Sequence, residues 1–355
     1  MKLQRFFALI LALVFVFAAF APVRAQDDAA PTSFFITEDG AFSVELPEGW
    51  YAAGDLSGLQ VSNNEALLSA ESFEVTESGS LAFLVLPLSD VDLEGFGLTV
   101  ESPILEIGTA FAPLFADETT NVGEPEEVAD GVARISVADA TNDGVVYVAD
   151  DLAPGYIGVA IMAALKGEMT EEAELEILTI LSDVNFSLPL DEPFISGDDG
   201  LSFSYPTDWV INDIGGGVAL VFDSQTTLDN AGAEADIVEG ETRIGIIGIQ
   251  PANVPAELTE ETLQAFAVQA TTELASSSEN NPVVGEPELL ENEVFPGGFV
   301  VYVPVSSDIA EGGVFLVNNE GVLHVILFSG ALDEGDRAFG TALNIATSVV
   351  YTPLE

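Results

Sequence analysis

The 355-residue sequence contains no cysteine, a single histidine and only seven lysine and arginine residues. Without cysteine, the chain can form no disulfide, no thiolate nucleophile, no cysteine-ligated metal site and no lipidated cysteine. Because His324 stands alone, an HExxH motif or any other site with two imidazole ligands is excluded. The sequence also lacks the G-x-S-x-G motif of the α/β-hydrolases. These absences remove the commonest catalytic and metal-binding arrangements.

Positive charge is scarce relative to the 60 aspartate and glutamate residues, and the formal net charge is −53. A chain this acidic repels phosphate backbones and anionic headgroups, so we expect it to bind neither nucleic acid nor an anionic membrane surface. Its partners should be cationic, neutral or divalent. Hydrophobic residues make up 48% of the chain and phenylalanine occurs 23 times, which indicates a packed fold rather than disorder.

The N-terminus has the pattern of a secretory signal peptide. Lys2 and Arg5 precede an apolar run, Phe6 to Ala21, and Val23 to Ala25 form a small-residue cleavage site. The run is shorter than the ~20 residues of a typical membrane-spanning helix. We therefore predict a signal peptide at 1–25 and a periplasmic or extracellular mature chain. Its removal leaves four basic residues against the 60 acidic ones, a formal charge of −56.

The remainder of the chain contains an internal repeat. The segment Phe35 to Tyr51 recurs as Phe194 to Val210, and Trp50 then aligns with Trp209. Similar blocks follow in the same order in both halves. The repeat predicts a short linker at 26–31 and two domains, at 32–190 and 191–355.

Each half is predicted to be rich in strands, with two helices. Apolar and polar residues alternate in FSVELP and LSFSYP, as in half-buried strands, and three strands follow as a meander whose hairpin turns are predicted at Asn142 to Gly144 and Asn319 to Gly321. The pattern predicts an α+β fold: two tandem α/β/α sandwich domains, each an antiparallel sheet flanked by helices.

Four helices are predicted. One begins after Thr259 and presents one apolar face, and its shorter counterpart lies around Ala110 to Phe115, where Pro113 interrupts it. A terminal helix closes each half. The first of these begins at Thr170, and its apolar face is predicted to consist of Leu175, Leu178 and Leu181.

The segments FSVELPEGW (42–50) and LSFSYPTDW (201–209), with the strands and helices that follow, resemble the PsbP and Mog1-like domain family. The resemblance implies an α/β/α sandwich and a non-enzymatic role as an extracytoplasmic accessory factor, assembly factor or binding module. PsbP-type docking to a photosystem relies on lysine-rich surfaces, whereas the mature chain has one lysine, Lys166. The matched prolines and tryptophans are interpreted as structural, so no functional residue is carried over.

The weak metal-site candidates are Asp139, Asp143 and Asp150, whose spacing is faintly that of a calcium loop. Residue 150 is aspartate rather than the usual bidentate glutamate, so a β-hairpin is the favoured interpretation. Acidic runs could hold divalent cations loosely, but solvated faces are the commoner outcome. They are Glu124, Glu126 and Glu127, and Glu234, Asp236, Glu239 and Glu241. Gly215 to Gly217 indicate a flexible hairpin loop.

His324 lies in the apolar strand VLHVILF, and its counterpart in the first half is Gly158. We interpret it as a structural histidine, hydrogen-bonded or exposed, rather than a catalytic base. No catalytic residue and no cofactor are predicted, calcium being the one cofactor left open. The leading hypothesis is a secreted, non-catalytic binding or assembly module whose partner is an unidentified envelope or extracellular protein. The alternatives are a protein that binds divalent cations such as calcium and, less favoured, a carboxylate-dependent hydrolase.

Overall fold

The computed structural model describes residues 33–351 except 38, 56–57, 70–74, 117–118, 130, 154–155, 198–199, 233–235, 250–258, 278–281, 296, 320–321 and 333. The chain divides into an N-terminal unit within residues 29–186 and a C-terminal unit within residues 187–355. The predicted signal peptide (1–25) and linker (26–31) lie outside the described residues. No helix in the described ranges has the length and apolar character that crossing a bilayer requires.

The N-terminal unit consists of a small and a large antiparallel sheet with helices. Its strands are β1 (Ser33–Ile36), β2 (Phe42–Leu46), β3 (Tyr51–Asp55), β4 (Gly58–Ser62), β5 (Ser80–Leu88), β6 (Asn121–Val122), β7 (Glu126–Ala129), β8 (Val132–Ala138), β9 (Asn142–Ala153), β10 (Tyr156–Leu165) and β11 (Asn185–Phe186). Its helices are α1 (Asp90–Leu93), α2 (Ile104–Phe111) and α3 (Glu171–Ser182). The small sheet has the order β1-β2-β11, and the large sheet has the order β3-β4-β5-β10-β9-β8-β6, with β7 also paired to β8.

The C-terminal unit has the same two-sheet arrangement. Its strands are β12 (Glu192–Ile195), β13 (Leu201–Tyr205), β14 (Val210–Asp213), β15 (Val218–Phe222), β16 (Thr242–Ile249), β17 (Val283–Val284), β18 (Glu288–Glu291), β19 (Phe299–Ser306), β20 (Ala310–Asn319), β21 (Val322–Ala331) and β22 (Val350–Tyr351). Its helices are α4 (Gln225–Gly232), α5 (Glu260–Ser277) and α6 (Gly335–Ser348).

The sheets of the C-terminal unit follow the order of their N-terminal counterparts. They are β12-β13-β22 and β14-β15-β16-β21-β20-β19-β17, with β18 paired to β19. All paired strands in the described residues are antiparallel. The predicted fold class, tandem α+β units with an antiparallel sheet flanked by helices, is confirmed.

Helix α5 forms as its sequence pattern predicts. The Thr262 N–H donates to Thr259 Oγ1 at 3.3 Å, which caps the first turn. Leu263 and Ala267 are buried against the large sheet, and Phe266 packs beside them. The side chain of Leu274, also predicted for this face, lies outside the described residues.

Two helix predictions were wrong in detail. Helix α2 begins at Ile104, before the predicted start at Ala110, because Ile104, Ile107 and Phe111 give it a buried face of its own. Pro113, which has no N–H for an α-helical bond, lies in a 3₁₀ turn after the helix. In α3 the buried residues are Ile177 and Ile180, whereas Leu175 is 65% exposed.

The first predicted hairpin turn was also wrong. Asn142 to Gly144 belong to β9, and the turn begins at Asp139, whose Oδ1 accepts hydrogen bonds from the Thr141 N–H at 2.6 Å and the Asn142 N–H at 2.7 Å. Gly144 is needed in the strand, because a Cβ there would lie 2.7 Å from the carbonyl oxygen of Met162. Of the second predicted turn, residues 320–321 lie outside the described residues.

The repeated Pro-x-x-Trp motif forms the same turn in both units. The Trp50 N–H donates to the Pro47 carbonyl at 3.1 Å, and the Trp209 N–H donates to the Pro206 carbonyl at 3.3 Å. The residue before each tryptophan, Gly49 or Asp208, has a left-handed backbone with φ of 84° or 73°. Both indoles are buried.

The predicted flexible loop at Gly215 to Gly217 has a defined packing role. The Gly248 N–H donates to the Gly217 carbonyl at 2.8 Å, and the ring of Tyr351 lies over both glycines. A Cβ would come within 2.9 Å of this ring at Gly217 and within 2.5 Å at Gly248. The two glycines therefore make room for the aromatic ring of β22.

Replacing Gly248 should destabilise the C-terminal unit. We expect Gly248→Ala to lower the free energy of unfolding by about 1 to 3 kcal/mol, because the new methyl group overlaps the Tyr351 ring. The matched control is Gly232→Ala at the end of α4, where a Cβ meets nothing within 4 Å. Urea unfolding of both variants measures the difference, and equal midpoints would contradict this account.

Candidate functional site

All four basic residues in the described part of the chain form ion pairs with carboxylates. Their partners are Glu126 and Glu174 for Arg134, Asp143 for Lys166, Glu241 for Arg243, and Asp223 and Glu334 for Arg337. The formal surplus of negative charge is therefore carried by carboxylates that no lysine or arginine neutralises. Apart from these four sites, the long-range interactions among the charged side chains are repulsive.

Arg134, Tyr147, Glu174 and Glu126 form a polar cluster in the N-terminal unit, between α3 and the large sheet. The Arg134 Nε donates to Glu174 Oε1 at 2.7 Å, and Nη2 donates to Oε2 at 3.1 Å, which makes a bidentate pair. The Tyr147 hydroxyl donates to the same Oε1. Arg134 Nη1 reaches Glu126 Oε1 at 3.3 Å, where the cluster meets solvent.

The protonation states in this polar cluster are fixed at neutral pH. Hydrogen bonds from Arg134 hold the pKa of Glu174 below its usual value, and its carboxylate is therefore ionised. Burial, followed by the contact with Glu174, raises the pKa of Tyr147 to about 12, so its hydroxyl stays protonated and donates. Groups locked in this way are poorly suited to exchange protons near pH 7. The arrangement is suited to fixing α3 on the sheet.

The equivalent positions in the C-terminal unit carry an aromatic cluster. Asp139 and Ser307 begin matching hairpin turns, with N–H to carbonyl distances of 3.0 and 3.1 Å. Arg134 and Tyr302 each lie five residues before their turn, so they occupy equivalent positions. Their cross-strand partners, Tyr147 and Phe315, are then equivalent as well.

The closing helix completes the aromatic cluster. Phe339 of α6 has its ring centroid 5.1 Å from Tyr302 and 5.3 Å from Phe315, which is the place that Glu174 of α3 takes in the other unit. Phe328 stacks on Phe315 at 4.9 Å. The same junction between sheet and closing helix is thus polar in one unit and aromatic in the other.

Arg337 attaches the first turn of α6 to residues beside the end of β15 and the start of β16. Its Nε lies 2.5 Å from Glu334 Oε2, and its Nη2 donates to Asp223 Oδ2 at 3.3 Å and to the Gly240 carbonyl at 3.2 Å. Burial raises the pKa of Asp223, although Thr227 and Thr242 donate to its carboxylate. These bonds join β15, β16 and α6.

Arg243 and Glu241 form the most deeply buried ion pair, with 1% and 5% of their surface exposed. Arg243 Nη2 donates to Glu241 Oε2 at 2.9 Å and to the Asp236 carbonyl at 3.3 Å. Asn230 of α4 donates to the other oxygen of Glu241 at 2.5 Å. Removing only one partner of so deeply buried a pair strongly destabilises a protein, because the remaining charge is left buried without a counter-charge.

The three predicted calcium-loop residues have separate structural contacts. Asp139 caps the β8–β9 turn, and hydrogen bonds from Thr141 and Asn142 lower its pKa. Asp143 accepts from Lys166 Nζ at 2.6 Å and from the Gly167 N–H at 2.8 Å, and these bonds lower its pKa as well. Asp150 lies further along β9, with its carboxylate against Gly131.

The predicted acidic runs are divided among different environments. Glu126 and Glu241 are ion-paired, Asp236 and Glu239 are exposed, and Glu234 lies outside the described residues. Within the described ranges, no group of three or more histidine, aspartate or glutamate side chains is arranged to hold a metal ion.

His324 is buried in β21, and its environment differs from the one that the sequence suggests. It has 0% exposure, and neither ring nitrogen has a hydrogen-bond partner among the described residues. Burial lowers its pKa to about 4, so the ring is neutral at pH 7. The sequence pattern predicts a hydrogen-bonded or exposed histidine. Strand pairing on both sides buries the ring instead, beside Gly248 and Val317.

The polar cluster is a feature that sequence reasoning missed. Arg134 is the only charged residue of β8, whose sequence is VARISVA. A single charge in such a strand was the one signal in the sequence that pointed to this cluster. Its partner Glu174 is one of four glutamates in α3, and the sequence does not distinguish it from Glu171, Glu172 or Glu176. Of these, Glu176 accepts a hydrogen bond from Trp50 Nε1 at 3.0 Å.

No family model matches the chain, and no curated protein matches it. Among solved structures, it is similar to the solution structure of the cyanobacterial PsbP protein, CyanoP, from Synechocystis sp. PCC 6803. The match has 16% sequence identity and a TM-score of 0.32, and it covers 45% of this chain and 92% of CyanoP.

Neutralising Glu174 should destabilise the N-terminal unit in a pH-dependent way. We expect Glu174→Gln to cost about 1 to 3 kcal/mol at pH 7, because it removes a charge-assisted bidentate pair. Folding lowers the pKa of Glu174. The ionised carboxylate therefore stabilises the folded state at pH values above the pKa of Glu174 in the unfolded chain, and this stabilisation is lost as the pH falls through its pKa in the folded state. The cost should therefore shrink below about pH 4. Thermal melts from pH 7 to pH 3, with Glu171→Gln as the exposed control, measure this; a cost independent of pH would contradict it.

The aromatic cluster should be transferable to the N-terminal unit. We expect the triple variant Arg134→Tyr, Tyr147→Phe and Glu174→Phe to fold and to recover most of the stability that Glu174→Gln loses, since these residue types fill the same junction in the C-terminal unit. Comparing the melting temperatures of the two variants at pH 7 tests the correspondence. A triple variant less stable than Glu174→Gln would show that the two junctions differ in shape.

Proposed function

We propose that the protein is a secreted, non-catalytic binding or assembly module of the cell envelope, composed of two PsbP/Mog1-like repeats. The observation that carries the proposal is the distribution of charge. Each basic side chain of the described structure is engaged by carboxylates of the same chain. Every long-range attraction that remains open to the surface is therefore toward positive charge.

The placement of the ionisable groups supports a binding role over catalysis. The one imidazole is buried, and the Tyr147 hydroxyl is held protonated by a pKa of about 12. The carboxylate of Glu174 is ionised, and its charge is balanced by Arg134, which donates to both of its oxygens. A general acid or base works best with a pKa near the working pH and with access to substrate, and none of these three groups combines the two.

The proposed cellular location rests on the sequence. The 1–25 segment has the pattern of a cleaved signal peptide, and the mature chain would function in the periplasm or outside the cell. The matching strand orders of the two units support a repeated domain. We infer that the partner is an envelope or extracellular protein with a cationic surface.

Binding of divalent cations such as calcium is the second candidate, and the charge of −56 on the mature chain favours it. A cation at the β8–β9 hairpin would have to displace Lys166 from Asp143. Such binding predicts a larger rise in melting temperature with millimolar calcium than with sodium chloride of equal ionic strength. Equal shifts would indicate screening alone.

The proposal is tested by co-purification from the native envelope. The tagged mature chain is cross-linked and recovered at 50 and 300 mM sodium chloride, each with and without a calcium chelator. We expect a stoichiometric protein partner that is retained at low salt and reduced at high salt, because interactions between exposed charges are screened.

Two outcomes separate the alternatives. Loss of the partner on chelation at low salt would make the divalent cation part of the complex. A saturable hydrolytic activity of the purified chain, abolished by mutating a few clustered carboxylates, would overturn the non-catalytic proposal. The control is a mature chain in which Lys166→Gln removes one ion pair but leaves the acidic surface in place.

A further inference from the structure

The lone histidine lies beside the last strand of the described chain. His324 of β21 is directly opposite Gly248 of β16 and Val317 of β20. The ring of Tyr351, in β22, meets the imidazole edge-on with centroids 6.5 Å apart. Because a Cβ on Gly248 would lie 2.5 Å from this ring, Tyr351 occupies the space that a side chain at position 248 would fill. Tyr351 is therefore the cover on one side of His324.

Strand β22 is only two residues long. It pairs with β13 at two positions, Tyr351 with Leu201 and Val350 with Ser202. Immediately before it, the Val349 carbonyl accepts a hydrogen bond from Asn319 Nδ2 at 3.1 Å. The neighbouring strands of the large sheet are paired to β21 over eight residues or more. Releasing β22 from β13 thus breaks far fewer strand pairings than separating β21 from β16 or β20.

In the described structure, Tyr351 is the titratable group in contact with the imidazole. The charged residues of the packed strands lie toward the opposite end of β21, since Arg243 of β16 pairs with Ser329 and Glu311 of β20 pairs with Gly330. On α6 the charged residues Asp336 and Arg337 are in the first turn, and Glu334 directly precedes it and lies against Gly330. At about 3.3 Å per residue, the strand positions are roughly 15 to 20 Å from His324.

We propose that mild acid releases β22 from β13 in the C-terminal unit, because His324 can take up a proton only when the Tyr351 ring leaves its place beside it. An imidazolium in the closed site would be a buried cation with neither a counter-charge nor an acceptor among the described residues. With β22 displaced, the ring reaches water and both nitrogens can donate. The strand and the histidine together form a pH-responsive latch.

The sign and size of the response follow from the two pKa values. In the closed state burial lowers the pKa of His324 to about 4, against 6.5 for an exposed histidine. The open state therefore binds more protons between these values, and it becomes more favourable as pH falls. Between pH 7.5 and pH 5.0 the open population should rise about 25-fold.

The first measurement is an NMR titration of the imidazole in the full mature chain without a histidine tag. His324 is the only histidine in the sequence, so its ring proton signals need no assignment. The second is hydrogen exchange of β13 and β22 at pH 7.5 and pH 5.0, corrected for the intrinsic pH dependence. The variants are His324→Leu, which cannot be protonated, and Tyr351→Ala, which removes the cover.

We expect the closed-state signal to show no titration at pH 6.5, and protection of β22 in the wild type to fall about 25-fold on acidification. In His324→Leu protection should change less than twofold, and in Tyr351→Ala the imidazole should titrate close to 6.5. The proposal is overturned if the wild-type ring titrates near 6.5 while β22 stays protected. It is equally overturned if His324→Leu loses as much protection as the wild type. If His324→Leu folds poorly, the imidazole titration of the wild type still decides the question, because it needs no variant.

Discussion

The scarcity of positive charge is the constraint on which the rest of the structure depends. Each of the four cations in the described chain is bound by carboxylates, and three of them lie where separate elements meet. Arg134 joins α3 to the sheet, Lys166 joins the end of β10 to the start of β9, and Arg337 joins α6 to β15 and β16. In a chain whose remaining long-range electrostatics is repulsive, these junctions are the places where an attraction has most effect.

The junction between the sheet and the closing helix shows two physical solutions for one position. Arg134, Tyr147 and Glu174 depend on a bidentate ion pair, whose strength varies with pH and, at its exposed end, with salt. Tyr302, Phe315 and Phe339 depend on apolar burial and ring packing, which are nearly independent of both. The helices differ accordingly: α6 has nine buried residues among fourteen, and α3 has two among twelve. A polar anchor is of greatest value where the helix buries little of its own surface.

Local patterns predicted most of the fold, and the errors arose where distant residues decide the outcome. The alternation in FSVELP and the apolar face after Thr259 depend on near neighbours, and both elements formed as expected. The Asp-Gly pair at 143–144 indicates a turn locally, but Met162 on the adjacent strand requires glycine there and Asp139 closes the turn earlier. The shared spacing of Leu175, Leu178 and Leu181 predicts that they face inward, whereas the buried residues of α3 are Ile177 and Ile180.

The candidate sites were harder to predict for the same reason. The contact between Arg134 and Glu174 spans 40 residues of sequence, and nothing local distinguishes Glu174 from the other glutamates of α3. The ring nitrogens of His324 have no hydrogen-bond partner among the described residues. Whether a buried side chain finds a partner depends on residues distant in the sequence, and a single sequence contains no signal for this. Spacing alone suggests a shared calcium loop for Asp139, Asp143 and Asp150. Instead, Asp139 closes a turn, Asp143 binds Lys166 and Asp150 lies further along β9.

The equivalent turns that end in Trp50 and Trp209 give each unit one buried indole, and the sequence contains no other tryptophan. Tryptophan fluorescence therefore has one source in each half of the molecule. When either indole is replaced by phenylalanine, the emission that remains comes from a single unit. The two units can then be followed separately through one unfolding experiment, without cutting the chain or attaching a dye.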